Sequence, residues 1–438
     1  MKLINHIMFV DINDDKKLMI NSLNGKINEI NAATHETLLE WRSCADISPR
    51  DINETKLLDS LQDGGYIVDS EDEERAKKNA ILDALRKRNI ADKENTRVMT
   101  FIMTYDCNFR CPYCFEEHAR FKEEVITRDL IDAALDLTNE SLELIGLFGG
   151  EPLLPKTKSA IEHLISKVPD KKFEIFTNGY YLEEFSELLS TVEIFRITVT
   201  LDGNEETHNS RRFLEGGGST YQKILNGISA CLCRGIPIRI RVNVDQDNLD
   251  EAYLQQERLL DMFNRNDLLD FEMAPLFGCT NKTRNSILSD MYKRNTKLPH
   301  EDRVRGNSLA NTSNPIINAL TGAQAVSPLY SYCAAHENKL AVDPYGNIYT
   351  CLVTVGIDDL AIGKYYPEVR FKENSIYNRN IDAIPECREC IYSLLCGGGC
   401  PLKLQDSSDW FRPACEIVKT QIHDLLPMLY ETKQETNS

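Results

Sequence analysis

Three cysteines close on one short loop, Cys107-Asn-Phe-Arg-Cys111-Pro-Tyr-Cys114. Thiolates are the usual protein ligands of iron–sulfur clusters, and a [4Fe–4S] cube takes four of them. Three thiolates from one loop hold three irons and leave the fourth open, and an open iron is a place for chemistry. Structural zinc sites favour CxxC pairs and four closed ligands, which this x3–x2 spacing does not supply.

A second set of cysteines follows late in the chain. Cys333 is followed by twelve residues, Gly346, four residues and Cys351; then come Cys387-x2-Cys390-x5-Cys396-x3-Cys400 and finally Cys415. CxxC spacing also suits zinc, so Cys387, Cys390, Cys396 and Cys400 taken alone admit that reading. Of the fourteen cysteines, only Cys44, Cys231, Cys233 and Cys279 lie outside the two sets. Cys231 and Cys233 stand two apart on an expected helix and point to different faces. They and Cys44 read as packing residues rather than ligands. The first residues lack the charged start and long apolar segment of a secretory signal, and no apolar run approaches the length of a membrane span. The expected location is the cytoplasm, where thiols stay reduced and serve metals rather than disulfides. A net charge of −18 and a pI near 5.0 argue against a nucleic-acid binder.

The elements that must position these residues are legible from residue 96 onward. Strands are expected at 98–105, 142–148, 173–176, 194–201, 236–244 and 269–275. Helices fall between them, near 126–139, 156–167, 181–190, 220–233 and 248–265. Six such repeats predict an α/β fold with a parallel sheet and right-handed crossovers. Parallel barrels carry their active sites at the C-terminal strand ends. Those ends hold, in turn, the cysteine loop, Gly149-Gly150-Glu151-Pro152, Thr177-Asn178-Gly179, Asp202-Gly203 and Asn243. The glycines of the second segment would let backbone approach a ligand closely, and Glu151 could accept from a ligand ammonium.

The cysteine spacing, with aromatic Tyr113 before the last cysteine, resembles that of the radical S-adenosylmethionine (SAM) enzymes. Gly149-Gly150-Glu151-Pro152 matches that family's GGEP segment, and Thr177-Asn178-Gly179 its TNG segment. Thr200-Leu201-Asp202-Gly203 matches its SLDG segment, with Thr200 keeping the hydroxyl. His208 and Arg212 fit an HxxxR pattern. The resemblance implies a partial (β/α)6 barrel that binds SAM on the open iron. It places the SAM amino group at Gly149, Gly150 and Glu151, with Thr177, Asn178, Thr200, Asp202 and Asn243 as further contacts. Arg212 would meet the carboxylate, with Arg211 or Arg241 as alternatives. It also implies reductive cleavage of SAM to a 5′-deoxyadenosyl radical that takes hydrogen from the substrate. No general base stands out, because acids are plentiful near the strand ends.

The late cysteines resemble the complete seven-cysteine pattern of the SPASM domain, a carrier of two auxiliary [4Fe–4S] clusters. By that resemblance Cys387, Cys390, Cys396 and Cys415 hold one, and Cys333, Cys351 and Cys400 the other. The chain would then hold three clusters. No cysteine lies between 334 and 350, so the second of these sites would keep an open iron or take Cys279.

Residues 1–94 read as a separate winged-helix-like unit: a hairpin around Asn24-Gly25, two helices, a short strand at 66–68 and a further helix. It resembles the leader-recognition domains of ribosomal-peptide maturases, which add a peptide strand to a sheet edge. The expected division is this unit, a barrel at 95–285, a connector at 286–332 and a loop-rich iron–sulfur unit at 333–438 that folds around metal. The implied function is maturation of a ribosomal precursor peptide, with thioether crosslinks from cysteine sulfur to carbon as the leading chemistry. Formylglycine formation on a sulfatase, carbon–carbon crosslinking and epimerisation are alternatives, as is a zinc-stapled binding protein. The expected partners are the precursor peptide and a flavodoxin or ferredoxin, with neither nucleic acid nor membrane.

Overall fold

The computed structural model describes residues 1–276, 278–297, 316–317, 327–333, 335, 337–373, 376–403 and 411–437. Much of the expected connector, 298–315 and 318–326, lies outside the described residues.

The chain opens with β1 (Lys2–Leu3), β2 (Ile7–Asp11), β3 (Lys16–Asn21) and β4 (Ile27–Asn31). The β3–β4 turn is the expected one. Gly25 takes φ 75° and its N–H donates to the Asn21 carbonyl at 2.8 Å, a left-handed position that glycine fills at little cost. Helices α1 (Ala32–Ser43), α2 (Ile52–Asp63) and α3 (Glu71–Glu94) start at side-chain caps. Asn31, Asp51 and Ser70 each accept a first-turn N–H. Strand β5 (Ile67–Val68) does not extend the three-stranded sheet as a wing. It pairs antiparallel with β1.

Six parallel strands follow: β6 (Val98–Ile102), β7 (Leu144–Phe148), β8 (Lys172–Thr177), β9 (Ile194–Thr200), β10 (Ile238–Val244) and β11 (Leu269–Pro275), neighbours in chain order. Between them run α4 (Arg128–Leu135), α5 (Lys158–Lys167), α6 (Leu182–Leu189), α7 (Glu205–Arg211), α8 (Tyr221–Cys233) and α9 (Leu249–Met262). Alternation decides which side faces the helices. Ile238, Ile240, Val242 and Val244 of β10 enter the main core with Ile161, Phe185 and Ile224. Each such buried aliphatic side chain contributes about 1.5–3 kcal/mol. The intervening residues turn the other way, and several are charged. Arg196 pairs with Glu174, Arg239 with Asp270, and Arg241 with Glu272 at 3.0 Å.

The sheet does not stop at β6. Strand β12 (Lys339–Val342) pairs parallel with it, and β13 (Asn347–Tyr349), β14 (Gly363–Lys364) and β15 (Arg370–Phe371) continue antiparallel, giving ten strands. Asp343 locks this junction: the Tyr105 hydroxyl, at the end of β6, donates to its Oδ2 at 3.0 Å. The late unit is therefore built onto the barrel sheet.

Two sequence expectations fail here. The late unit carries more apolar order than a metal-held loop needs. Val418, Ile422, Leu425, Leu426 and Leu429, at helical spacing, are buried against Met8, Val10, Leu18 and Ile20 of the first sheet. Of the cysteines read as packing residues, Cys231 is buried but Cys233 and Cys44 are exposed. Both sit at or just past a helix end, where the face opens to solvent. Among the described residues no helix is long and apolar enough to cross a membrane.

Candidate functional site

The cysteine loop leaves the C-terminal end of β6 and is held from two sides. On one side stands the segment after β7. The Gly150 N–H donates to the Thr104 carbonyl at 3.0 Å, and Glu151 N–H to the Asp106 carbonyl at 2.9 Å. A Cβ on Gly149 would lie 2.2 Å from the Thr104 carbonyl oxygen, and one on Gly150 2.3 Å from that of Tyr105. What these glycines admit is the backbone of the cysteine loop. On the other side, residues 213–215 run against it. Arg110 N–H donates to the Phe213 carbonyl at 2.9 Å, and Glu215 N–H to that of Asn108 at 2.8 Å.

Glu151 is 1% exposed and ties β7 to β8. Its carboxylate accepts from the Thr177 hydroxyl at 2.7 Å, from Asn178 N–H at 2.6 Å and from Leu153 N–H at 2.8 Å. Burial pushes its pKa up, and these donors work against the shift. An ionised carboxylate offers about four acceptor sites, so capacity remains for one more donor, as a ligand ammonium would require. The Asn178 amide reaches back to the loop, 2.8 Å from Asn108 Oδ1 and 3.8 Å from Cys107 Sγ.

Asp202, fully buried at the end of β9, organises the other half. Its Oδ1 accepts from Asn243 N–H at 2.9 Å, and its Oδ2 from the Tyr113 hydroxyl. Its own N–H donates to His208 Nδ1 at 3.1 Å, which leaves the proton on Nε2, facing the Thr220 hydroxyl at 3.1 Å. That hydroxyl donates to the Arg212 carbonyl at 2.7 Å. The HxxxR histidine thus positions the arginine. Burial, with the Arg212 charge nearby, pulls His208 down to about 3, so it is neutral.

Three arginines share one candidate role in the sequence, and the structure gives them different partners. Arg211 pairs with Asp245 at 2.8 Å, and Arg241 with Glu272. Arg212 turns to the cysteine loop, with its guanidinium 5.9 Å from the Phe109 ring centre. Its Nη1 donates to the Tyr113 hydroxyl at 3.1 Å, and among the described residues its buried Nε has no partner, as is also true of Arg211 Nη1. A buried donor left over is costly. It fits an anionic group such as the SAM carboxylate, and the unpartnered Nδ2 of Asn108 stands in the same loop. Asn108 and Phe109 escaped the sequence reading, although their place between the first two cysteines was a usable signal. Thr200 lies on β9 level with Arg241.

Burial pushes the Cys107 thiol up to about 12, with the Glu151 carboxylate adding to the shift. Such a thiol becomes a ligand only when a metal charge compensates its proton. Other cysteines add to the effect of burial on several of the late thiols. Burial and then Cys351 and Cys400 raise Cys333 to about 12. Cys387 is raised likewise by burial, Cys390 and Cys415, and Cys396 by burial, Cys415 and Cys387. Cys279 lies just past β11 and is not among the charges that shift Cys333 or Cys351. Among the described residues no three His, Cys, Asp or Glu side chains converge on a single ion. A cubane asks for something else, one thiolate per iron around a larger body.

Residues 101–253 match the model of the radical SAM superfamily. The probable GTP 3′,8-cyclase of Archaeoglobus fulgidus is 26% identical over 284 residues, 60% of this chain and 90% of that protein. The Fe-coproporphyrin III synthase of Methanosarcina barkeri is 28% identical over 165 residues, 36% of this chain and 39% of its own. Two solved structures share the fold. Native anSMEcpe with bound AdoMet and Cp18Cys peptide has TM-score 0.55 and 17% identity, covering 78% of this chain and 98% of that one. Streptococcus suis SuiB bound to precursor peptide SuiA has TM-score 0.54 and 16% identity, covering 94% and 98%.

Proposed function

We propose that this radical SAM enzyme matures a ribosomally made precursor peptide, joining a cysteine sulfur to a carbon of another residue. What supports the reading is the cysteine-bearing late unit built onto the barrel sheet, where β12 pairs parallel with β6; the spacing of its seven cysteines points to a group of three and a group of four. When bound on the open iron held by Cys107, Cys111 and Cys114, SAM supplies a 5′-deoxyadenosyl radical. The chain's own part is placement. Glu151 and Arg212 hold the two ends of the amino-acid moiety, and Asp202 fixes Tyr113 and Asn243 around them.

Thioether formation has a definite balance. A hydrogen atom leaves the carbon, a proton leaves the thiol, the C–S bond forms, and one electron is left over. That electron needs an acceptor. A cluster held by Cys333, Cys351 and Cys400 would supply one, and with three protein ligands it would leave an iron for the substrate thiolate. The group of four, Cys387, Cys390, Cys396 and Cys415, would hold a closed cluster beyond it. Flavodoxin or ferredoxin in the cytoplasm would supply the initiating electron. The three-stranded sheet β2–β3–β4 would take the leader peptide as an added strand. The fold shared with a precursor-bound maturase over 94% of this chain supports a peptide substrate.

Formylglycine formation is the second reading, supported by the fold shared with a peptide-bound anSMEcpe. The test is mass analysis after anaerobic reaction of cluster-loaded enzyme with SAM, dithionite and the short peptide encoded beside its gene. The expected product is lighter by a pair of hydrogen atoms, keeps its sulfur and has lost a free thiol. Loss of the sulfur itself would establish formylglycine instead. An unchanged peptide beside consumed GTP would move the substrate class to that of the cyclase relatives.

A further inference from the structure

Arg379 lies against the link between Cys396 and Cys400 and the segment before Cys415. It is 1% exposed and heads the largest fully buried side chains. Burial lowers its pKa, and Cys387, Cys396, Cys400 and Cys333 work against that; its charge in turn opposes the rise of Cys387 and Cys415. A cation in the interior is costly unless its donors are used. Here the fork is spent on backbone. Nη1 donates to the Gly399 carbonyl at 2.7 Å, and Nη2 to those of Gly398 at 2.5 Å and Arg412 at 2.8 Å.

The surroundings are built for it. Gly397, Gly398 and Gly399 form the whole link between Cys396 and Cys400, and all three take positive φ, 59°, 84° and 72°. Only glycine holds such a run without strain. There is also no room for side chains: a Cβ on Gly399 would lie 1.9 Å from the Ala414 carbonyl oxygen, and one on Gly397 2.4 Å from the Ser331 carbonyl carbon. The link delivers two carbonyls to the guanidinium while passing from one cysteine group to the other. The third carbonyl, Arg412, belongs to the segment leading to Cys415. One arginine therefore ties together the approaches to both groups.

Reduction adds negative charge to a cluster, and net charge and hydrogen bonding near the sulfurs set its potential. A fixed cation in a low-dielectric interior acts strongly on that charge. We propose that Arg379 is a positioning residue that raises the reduction potentials of both auxiliary clusters, so that the electron released by substrate is accepted at one and passed to the other. The inference rests on the reading above that these seven cysteines hold two clusters.

The test uses full-length protein with Cys107, Cys111 and Cys114 changed to alanine, so that every remaining cluster signal is auxiliary. About eight irons per chain are expected; their absence would defeat the two-cluster reading and this inference with it. With the iron present, redox titration followed by electron paramagnetic resonance compares Arg379→Gln with its parent. Reduction of both clusters should become about tenfold less favourable, a shift of ~59 mV to more negative potential for a one-electron couple. Arg379→Lys should recover most of it, because the charge remains. Loaded Arg379→Gln with unmoved potentials overturns the proposal. Should that variant lose its iron, isotope-labelled arginine in the parent protein replaces it. Nitrogen coupling to the reduced auxiliary clusters, lost in Arg379→Lys, upholds the proposal, and no coupling overturns it.

Discussion

The Arg212 guanidinium donates to the Tyr113 hydroxyl at 3.1 Å, and that hydroxyl donates onward to Asp202. The residue before the last loop cysteine is thus the middle of a relay joining α7, the cysteine loop and the end of β9. Its ring alone would pack; its oxygen is what fixes the arginine.

Tyr113→Phe should therefore separate packing from orientation. The ring stays, but Asp202 Oδ2 loses a donor and Arg212 a second acceptor beside its already unpartnered Nε. Hydrogen bonds to charged groups contribute about 1.5–3 kcal/mol. SAM affinity should fall by roughly tenfold or more, which is ~1.4 kcal/mol, while iron content stays at the parent level. Calorimetric SAM binding with iron analysis checks both.

Gly150→Ala should act on the cluster itself. The new Cβ would stand 2.3 Å and 2.4 Å from the Tyr105 and Asp106 carbonyl oxygens, so the cysteine loop must move. With the three clusters proposed above, the expected result is loss of roughly a third of the iron, and no SAM cleavage. Gly216→Ala is the control. It has no atom within 4 Å of its Cβ, though φ is 83°. It should cost about 1 kcal/mol in stability and no iron.

Cys279→Ser addresses the remaining ligand question. Burial raises both Cys333 and Cys351; Cys351 and Cys400 add to the first shift and Cys400 to the second, and Cys279 adds to neither. Iron per chain and the auxiliary-cluster spectrum should match the parent. A lost or converted cluster would place Cys279 in the ligand set.

What was legible follows from the range of the interactions. Strand β10 showed in the sequence because Ile238, Ile240, Val242 and Val244 alternate with Arg239, Arg241 and Asn243. That is a local period. Helix α1 showed because Leu38 and Trp41, both buried, fall at helical spacing. The ten-stranded sheet did not show. Strand β12 is four residues long and finds β6 across some 240 positions, Leu340 beside Met99. Nor did the division of labour among Arg211, Arg212 and Arg241. Each is an arginine near a strand end, and only the acids Asp245 and Glu272, far along the chain, claim two of them.

His208 sets an acid limit on the fold. Burial, with Arg212 nearby, lowers its pKa from 6.5 to about 3. The folded state thus prefers it neutral. Its contribution is fully present above pH 6.5 and is lost as pH falls from there toward 3, because the unfolded chain takes the proton first. At ~1.4 kcal/mol per unit, the loss across that window is on the order of a few kcal/mol. His208→Gln keeps an acceptor for Asp202 N–H and a donor for Thr220 without titrating. Urea unfolding at pH 7 and pH 5 should show the parent losing more stability than the variant; equal losses would mean that His208 is not held neutral.

Truncation of residues 1–94 will not test leader binding cleanly, because the first unit is not a detachable arm. Leu3, Trp41 and Leu58 share a core with Ile381, Ile384, Leu394 and Cys387. Met8 and Ile20 share another with Leu395, Cys396 and the C-terminal helix. Helix α3 adds Arg86–Asp382 at 2.6 Å and the Lys78 ammonium on the Arg388 carbonyl. Removing the unit bares both faces of the group of four, at about 1.5–3 kcal/mol for each apolar side chain exposed. The truncated chain should lose that cluster, and with it about four irons, along with any peptide binding. Substitution of Asn28 and Glu29, exposed on β4, keeps every apolar side chain of those cores, at the cost of the Tyr66 hydroxyl's bond to Asn28 and the Lys16 and Tyr430 bonds to Glu29. If β4 is the edge that receives the leader, these variants keep full iron and lose peptide affinity in fluorescence anisotropy. Unchanged affinity with full iron would move the leader to the β2 edge.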